Sequence, residues 1–234
     1  QQGWEINRRI TGGGAILFDE TQLGWEIVAD YDELQLPQNL LKRFASICRG
    51  FIRGLKKLGL NARFRPYNDI EIQGRKISGT GGIDEGRSFL FQGTLLIDFS
   101  AEDMVRALRI PIEKLQDKEI ESIKDRVTWL KKELSCLPDL REIKKVIAEG
   151  FAESFGLSIV PGELTSQERQ LYRQIVEKKR SLNWVYLVKK PPGEKKYLVS
   201  TYKSQGGIIR VNLSIELKTK IITQLFITGD FFTY

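Results

Sequence analysis

The chain has 234 residues, of which 41% are hydrophobic and 29% are charged, and these values are typical of a globular protein with one large or two small domains. It contains no histidine and only two cysteines, which excludes a histidine-based catalytic triad, histidine-ligated zinc and a disulfide framework. No apolar run approaches the ~18 residues that a membrane-spanning helix needs. Catalysis would therefore depend on Lys, Arg, Asp or Glu side chains, backbone N–H groups or a bound metal ion.

The net charge of +7 is unevenly distributed along the sequence. Residues 1–158 carry 24 basic and 24 acidic side chains, whereas residues 159–234 carry 13 basic and 6 acidic ones. This pattern predicts either a solvated basic surface or a docking face for an acidic macromolecule. No zinc-finger or aromatic RNA-binding motif is present, so the pattern gives no support to nucleic acid as the partner.

The first two thirds of the sequence alternate between helical and strand-like patterns. Between Asn39 and Gly59, apolar residues recur every three or four positions and end at a glycine, which predicts an amphipathic helix. Cys48 lies on the apolar stripe, so we expect a buried core residue and not a reactive thiol. The other predicted elements are strands at Trp25–Ala29, Phe64–Ile72 and Phe89–Asp98, and helices at Ala101–Leu108, Asp117–Leu134 and Pro138–Phe155.

A break at Val160-Pro161-Gly162 separates the first two thirds of the sequence from a region with a different pattern. A charged helix is predicted at Ser166–Arg180, and after it the hydrophobic period changes to two. The predicted strands are Trp184–Val188, Tyr197–Lys203, Ile208–Leu217 and Lys220–Ile227. We therefore expect three regions: a core domain over residues 1–158, a linker and helix over 159–183, and a small domain with an antiparallel sheet over 184–234.

Three segments carry residue types suited to chemistry. Arg8–Asp19 combines two arginines with three consecutive glycines, a composition that suits an anion, although its spacing fits neither a P-loop nor a dinucleotide-binding fingerprint. Asn68–Gly82 is expected to form a strand, a tight turn, a strand and a flexible glycine stretch. There Lys76 is either a solvated hairpin lysine or a donor to phosphate or carboxylate. Phe89–Asp98 is either a core strand or the wall of a pocket for an apolar chain.

Taken together, these segments resemble the lipoate–protein ligase family, within the wider biotin/lipoyl ligase fold. The family pattern is an Arg-Arg-x-[Ser/Thr]-Gly-Gly-Gly-Ala run, then an Asn-Asp strand with a Gly-x-Lys turn, then a strand ending in Gly-Thr-Leu-Leu. Arg126–Leu130 also resembles a segment that recurs there, and the tail is similar around Trp184, Gly207–Val211 and Gly229–Phe232. The resemblance implies an α+β fold, with a mixed sheet packed with helices and a small C-terminal α+β accessory domain.

The resemblance also implies a site and a reaction. Lys76 would be the central catalytic lysine, contacting both the lipoate carboxyl oxygen and the adenylate phosphate, and Asp69 would lie near Mg²⁺. The other residues implied at the ATP and acyl-adenylate site are Arg9, Gly14, Ala15, Ile16, Leu17, Asn68, Ser78 and Thr80. ATP and Mg²⁺ would be the cofactors and lipoate or octanoate the substrate. The acceptor would be a lysine of a lipoyl domain or of a glycine-cleavage H protein type, and the enzyme would be cytoplasmic, with no membrane or nucleic-acid partner.

The sequence also departs from the family pattern. Phe18 and Gln92 stand where members often have histidine, which affects the expected acyl-chain or acceptor preference. The family's N-terminal strands do not precede Arg8, so we expect that a further segment or a second polypeptide completes the enzyme. Two alternatives remain open: an octanoyltransferase of the same fold, which needs a nucleophilic cysteine, and a non-catalytic lipoate-binding homologue. A biotin ligase is disfavoured because its GRGR-type loop is absent.

Overall fold

The structure is a computed structural model that describes residues 3–108, 123–187, 198–204, 207–216 and 218–229. The chain divides into two compact units, Ala15–Pro161 and the combination of Gln1–Gly14 with Gly162–Tyr234. Both units contain helices and antiparallel strands, which confirms the α+β class. The predicted domain borders at 158 and 184 stay a prediction. Among the described residues, no helix has both the length and the apolar character needed to cross a membrane.

A five-stranded sheet forms the centre of the larger unit, Ala15–Pro161. Its strands pair antiparallel in the order β1-β5-β4-β3-β2. Their bounds are Gln22–Asp30 for β1, Ala62–Arg65 for β2, Asp69–Ile72 for β3, Arg75–Glu85 for β4 and Ser88–Leu96 for β5.

Two expectations about this sheet were wrong. The predicted strand Phe64–Ile72 is two strands, because residues 66–68 form a turn that begins with Pro66, which has no N–H to donate to a ladder. The predicted flexible glycine stretch at residues 79–82 lies inside β4, where Gly81 and Gly82 pair with β5. Strand β3 therefore holds the backbone from Lys76 to Gly79, and β5 holds it from Thr80 onward.

Two long helices of this unit, α1 (Leu40–Lys57) and α4 (Leu140–Phe155), pack at close range. Asn39 and Asp139 cap their N-termini, and Gly156, in the left-handed conformation, ends α4. A Cβ atom on Gly150 would lie 2.3 Å from the backbone nitrogen of Gly54, so glycine permits this approach. The two helices and the sheet enclose an aromatic core. Its members are Trp25, Phe44, Phe51, Phe91 and Phe151.

This unit also contains the short helices α2 (Ala101–Ala107) and α3 (Leu130–Glu133). The predicted long helix Asp117–Leu134 falls partly outside the described residues, and its described part is not continuous. Residues 123–126 are helical, but Val127 forms a parallel bridge with Lys76 and Thr128 donates its N–H to the Lys76 carbonyl. This pairing with β4 interrupts the helix.

Within its described residues, the second unit contains two helices and a three-stranded sheet. Helix α5 (Ser166–Arg180) begins with a capping box formed by Thr165 and Glu168. Strands β6 (Leu198–Ser204), β7 (Gly207–Glu216) and β8 (Ile221–Gly229) pair antiparallel in chain order.

The strand predicted at Trp184–Val188 was wrong. Residues Leu182–Val185 form the short helix α6, because the Ser181 side chain caps its N-terminus by accepting from the Trp184 N–H. Val188 and the predicted turn at Pro191-Pro192-Gly193 lie outside the described residues.

Candidate active site

Lys76 lies near the start of β4 and faces Asp69 on the neighbouring strand β3. Its Nζ is 2.6 Å from Asp69 Oδ1, and the two side chains are 38% and 17% exposed. A Cβ atom on Gly79 would lie 2.9 Å from this Nζ, so glycine at position 79 leaves room for the ammonium group. The sheet therefore presents a partly exposed cation whose orientation is set by a less exposed carboxylate.

Two arginines on the edge strand β2 extend this charge cluster. Arg65 Nη2 is 2.5 Å from Asp69 Oδ2, and Arg63 Nε is 2.6 Å from Glu71 Oε1. The hydrogen bond with Asp69 raises the pKa of Arg65, and the Glu71 side chain is only 3% exposed. With Lys76 the cluster has three cations and two carboxylates, and this positive excess favours an anionic ligand.

The two arginines were missed by sequence reasoning. They alternate along β2 opposite the acidic residues of β3, in the register pairs Arg63–Glu71 and Arg65–Asp69. An alternating basic strand followed by an alternating acidic strand is the signal that could have indicated them.

Asn68 and Thr80 connect the beginning of β3 to the middle of β4. The backbone N–H and the hydroxyl of Thr80 both donate to the Asn68 carbonyl, at 2.8 and 3.0 Å. The Asn68 amide donates to the Thr80 carbonyl at 3.1 Å. Ser78 is fully buried, and its hydroxyl has no hydrogen-bond partner among the described residues. The structure thus brings five predicted site residues together on one hairpin: Asn68, Asp69, Lys76, Ser78 and Thr80.

The backbone at Lys76 is also held from outside the hairpin. The Thr128 N–H donates to the Lys76 carbonyl at 2.8 Å. The buried Thr128 hydroxyl donates to Glu133, which also accepts from Arg75 Nη2 at 2.8 Å. Sequence reasoning singled out residues 126–130 through the family resemblance but assigned them no role. Their contacts indicate that they fix the position of Lys76.

The glycine-rich loop is built around the Arg9 side chain. Arg9 Nη2 donates to the carbonyls of Gly12 and Gly14 at 2.8 and 2.7 Å. Gly13 has φ 104°, and a Cβ atom there would lie 2.8 Å from Arg9 Nη2, so the loop requires glycine at this position. Burial lowers the pKa of the Arg9 guanidinium. Arg9 therefore organises the loop as well as being its predicted phosphate ligand.

The other predicted residues of this segment belong to the larger unit. Ala15 and Ile16 are exposed. The Leu17 carbonyl accepts from the Gln22 amide at 2.9 Å, which ties the segment to the start of β1. Arg9 and Gly14 belong to the unit that includes residues 162–234.

The sequence of the chain matches the model of a known protein family. Residues 1–152 match the model of the lipoyl protein ligase A/B catalytic domain. The chain belongs to this family.

Curated members similar to this chain have two different activities in their names. The octanoyltransferase LipM of Kyrpidia tusciae is 26% identical over 207 residues, which cover 79% of this chain and 75% of LipM. The lipoate-protein ligase LplJ of Bacillus subtilis is 27% identical over 233 residues, which cover 99% of this chain and 67% of LplJ. Family membership therefore does not distinguish a ligase from a transferase, and the distinction must rest on the residues of the site.

Solved structures of lipoate–protein ligases have the same fold. The bipartite lipoate protein ligase of Thermoplasma acidophilum, studied with its E2 lipoyl domain, gives a TM-score of 0.70 at 24% identity, over 80% of this chain and 73% of that one. A lipoate-protein ligase A bound with ATP gives 0.67 at 22% identity, over 78% and 72%. These likenesses confirm the ligase-like fold that the sequence resemblance implied.

The two cysteines of this family member have opposite environments. Cys48 in α1 is fully buried, and burial raises the pKa of its thiol to about 12, although a hydrogen bond with Thr80 acts in the opposite direction. Cys136 is exposed. A nucleophilic cysteine must be a thiolate, so Cys48 is not suited to form a thioester, as the sequence predicted.

Asp69 is the residue of this site that is predicted to hold a metal ion. In the described ranges, no group of three or more Asp, Glu, Cys or His side chains is arranged to hold a metal ion. Mg²⁺ that accompanies a nucleotide needs only one or two protein carboxylates, because phosphates and water supply its other ligands. Asp69 fits that limited role, but both of its oxygens are now within ion-pair distance of Arg65 or Lys76.

Proposed function

We propose that this chain is an ATP-dependent lipoate–protein ligase. It activates lipoate or octanoate as an acyl adenylate and transfers the acyl group to a lysine of an acceptor protein. The observation that supports this most directly is the position of Lys76, a partly exposed ammonium held by Asp69 within a positively charged cluster. Such a cluster suits a reaction between a carboxylate and a phosphate, both of which are anions.

The first step joins the lipoate carboxylate to the α-phosphate of ATP and releases pyrophosphate. The attacking carboxylate and the phosphate repel each other, so the step requires positive charge placed between them. We assign this role to Lys76, with Arg65 increasing the local positive potential. The ion pair with Asp69 keeps the Lys76 ammonium oriented before the substrates bind, which lowers the cost of reorganisation.

The remaining predicted residues are assigned to the nucleotide and its metal ion in this proposal. Asp69 would hold Mg²⁺, which neutralises charge on the nucleotide phosphates. Asn68 would lie near the nucleotide, and Ser78 and Thr80 would line the back of the same pocket. The residues assigned to the phosphates on the preceding segment are Arg9, Gly14, Ala15, Ile16 and Leu17.

In the second step, a lysine amine of the acceptor attacks the carbonyl carbon of the mixed anhydride and AMP leaves. Neither step needs a nucleophile from the enzyme, which agrees with the absence of histidine from the sequence. The acceptor is a lipoyl domain or an H protein type, in line with the E2 lipoyl domain named with the Thermoplasma ligase. The basic excess of residues 159–234 would attract an acidic acceptor, and a cytoplasmic location stays a prediction.

The proposed docking charges are the lysines on both sides of Pro191-Pro192-Gly193 in the sequence, namely Lys189, Lys190, Lys195 and Lys196. They lie outside the described residues. Attraction by exposed charges is screened beyond about 8–10 Å at physiological salt, so it would act mainly on the rate of association.

Pyrophosphate exchange into ATP tests the proposed function. A ligase catalyses this exchange when lipoate is present, because adenylation is reversible and needs no acceptor. A transferase and a non-catalytic binding protein do not catalyse it. Lipoate-dependent exchange would support the ligase, whereas its absence from a folded protein would contradict it.

The second candidate function is octanoyl transfer, which the similarity to LipM favours. It requires an acyl thioester on a cysteine, and the exposed Cys136 is the candidate because Cys48 is buried. Incubation with an octanoylated carrier protein, followed by intact-protein mass spectrometry, would detect this thioester. Its formation by wild type, and its loss in Cys136→Ser, would establish the transferase.

A further inference from the structure

Arg8 and Trp184, which are 176 positions apart in the sequence, make reciprocal hydrogen bonds within the second unit. Arg8 Nε donates to the Trp184 carbonyl at 2.9 Å and also approaches the Val185 carbonyl at 3.3 Å. In the other direction, the Trp184 indole N–H donates to the Arg8 carbonyl at 2.9 Å. Each residue therefore binds the main chain of the other with its side chain, and we call this pair of contacts the Arg8–Trp184 clamp.

The Trp184 side of the clamp is held firmly by local structure. Trp184 belongs to α6, and its backbone N–H donates to the capping Ser181 hydroxyl at 3.2 Å. The ammonium of Lys179, near the end of α5, lies 3.2 Å from the centre of the indole ring. A cation over an aromatic face is attractive, so the ring is oriented from the face as well as through its N–H.

The Arg8 side of the clamp adjoins the glycine-rich loop. Arg9 follows Arg8 directly, and its guanidinium binds the carbonyls of Gly12 and Gly14. The clamp fixes the Arg8 carbonyl, and this carbonyl belongs to the peptide group that begins Arg9. The clamp thus determines the point from which the Arg9 side chain reaches into the loop.

We infer that Trp184 is a positioning residue for the glycine-rich loop, and that it acts through Arg8. In this role Trp184 keeps the Arg9–Gly14 loop in the conformation that receives the nucleotide phosphates. The inference rests on the proposed function for the identity of the ligand, but the conformational part concerns this chain alone. Two measurements therefore test it, one with the nucleotide and one without it.

The first experiment measures how often the loop opens, without any substrate. Trp184→Phe removes the indole N–H and keeps an aromatic ring for Lys179, and Arg8→Met removes the guanidinium and keeps an apolar stem. Brief tryptic digestion with mass spectrometry gives the rate of cleavage after Arg9, which follows the open population of the loop. Each variant should raise this rate by at least about fivefold, because Trp184→Phe loses one neutral hydrogen bond and Arg8→Met loses a charge-assisted one.

The double variant separates a clamp from two independent contacts. If both contacts hold the same loop, the Arg8→Met/Trp184→Phe protein should be cleaved little faster than either single variant. Trp4→Phe is the matched control, since Trp4 lies on the same N-terminal segment and is 44% exposed. Wild-type cleavage rates in both single variants, or a rise of the same size in Trp4→Phe, would overturn the inference.

The second experiment measures lipoate-dependent pyrophosphate exchange. A loop-positioning role predicts that Trp184→Phe raises the KM for ATP about fivefold and leaves the KM for lipoate and the kcat near wild type. A purely structural role would lower the active fraction and leave both KM values unchanged, which would contradict the inference. If wild type shows no exchange, the proposed function fails, while the cleavage rates still decide whether the clamp holds the loop.

Discussion

Lys76 and Arg9, the two cations that the sequence assigns to phosphate binding, are held in different ways. Lys76 lies on β4, where it pairs with β3, and its carbonyl accepts from Thr128 on the other side. Arg9 lies on a segment without regular structure, where its own side chain binds the carbonyls of Gly12 and Gly14. The sheet thus fixes the first cation in advance, whereas the second depends on a few side-chain contacts.

This difference suggests that the hairpin contributes mainly to the chemical step and the loop mainly to ATP binding. A group that stabilises charge in the transition state must be fixed before the reaction. A loop that encloses a nucleotide must admit and release it, and such loops have low local stability. Substitutions at the hairpin should therefore lower kcat, while substitutions at the loop should raise the KM for ATP.

The largest effect is expected from Lys76→Ala. The substitution removes the central cation from a partly exposed position, so the fold should remain and lipoyl-AMP formation should fall by more than ~10²-fold. Product formation measured by mass spectrometry, together with a circular dichroism spectrum, checks both statements. Lys57→Ala is the matched control, because Lys57 is an α1 lysine that is also paired with carboxylates. A Lys76→Ala protein that forms lipoyl-AMP at near the wild-type rate would contradict the site.

A smaller effect is expected from Gly79→Ala, which retains the Lys76 residue but fills the space that its ammonium group occupies. The new Cβ would lie 2.9 Å from the Lys76 Nζ, so the ammonium must leave the position in which it pairs with Asp69. We expect kcat for adenylation to fall about tenfold, less than the ~10²-fold associated with a full 1 Å displacement. Steady-state exchange kinetics give kcat and KM separately. A raised KM for ATP with unchanged kcat would break the proposed difference between the two regions.

The counterpart in the loop is Gly13→Ala. Gly13 has φ 104°, which an L-residue adopts only with strain, and its Cβ would meet Arg9 Nη2 at 2.8 Å. The strain, about 1–2 kcal/mol, should open the loop and raise the KM for ATP about five- to thirtyfold, with kcat near wild type. Gly12→Ala is the control, since nothing lies within 4 Å of a Cβ built there. Equal kinetics for the two variants would show that the loop conformation does not matter.

The smallest effect on activity is expected at the cysteines. Cys136→Ser should leave adenylation unchanged, and a thiol reagent at pH 8 should label Cys136 and not the buried Cys48. The pKa of Cys48 is raised from 9.0 to about 12 in the folded protein. The folded state therefore retains this proton longer than the unfolded state, and the stabilisation is present below pH 9 and is lost as the pH rises toward 12.

Urea unfolding between pH 8 and pH 11 checks the pH dependence at Cys48. Cys48→Ala should be less stable than wild type at pH 8, because it leaves a cavity, and should lose less stability as the pH rises. The same slope in both proteins would contradict the pKa assignment. Rapid labelling of Cys48 in the folded protein would contradict its burial.

Local signals in the sequence were sufficient for much of the fold and for part of the site. The three- and four-residue spacing and the caps of α1 and α4 involve neighbours in the chain, so these helices were predicted closely. The pairing of Arg63 and Arg65 with acidic residues depends on the register between β2 and β3, which the sequence does not show directly. The pairing of β3 with β4 also contains a register shift between Ile70 and Glu71, and no local pattern indicates it. The contact of Thr128 with Lys76 joins distant segments, and it also explains why the predicted helix there is interrupted.

The error at Trp184 has a similar cause. Alternating apolar residues predicted a strand, but the Ser181 cap and the contact with Arg8 favour a helical turn. The strand pattern of β6 to β8, by contrast, was recognised because regular alternation is itself a local signal. Contacts between distant segments thus account for the residues that sequence reasoning missed.

The most direct test of the account is the mass of an acceptor lipoyl domain after incubation with the wild-type protein and lipoate. The acceptor should gain one lipoyl group on a lysine only when ATP is also present, and Lys76→Ala should abolish the gain. Acylation from an octanoylated carrier protein without ATP, through a thioester on Cys136, would contradict the account.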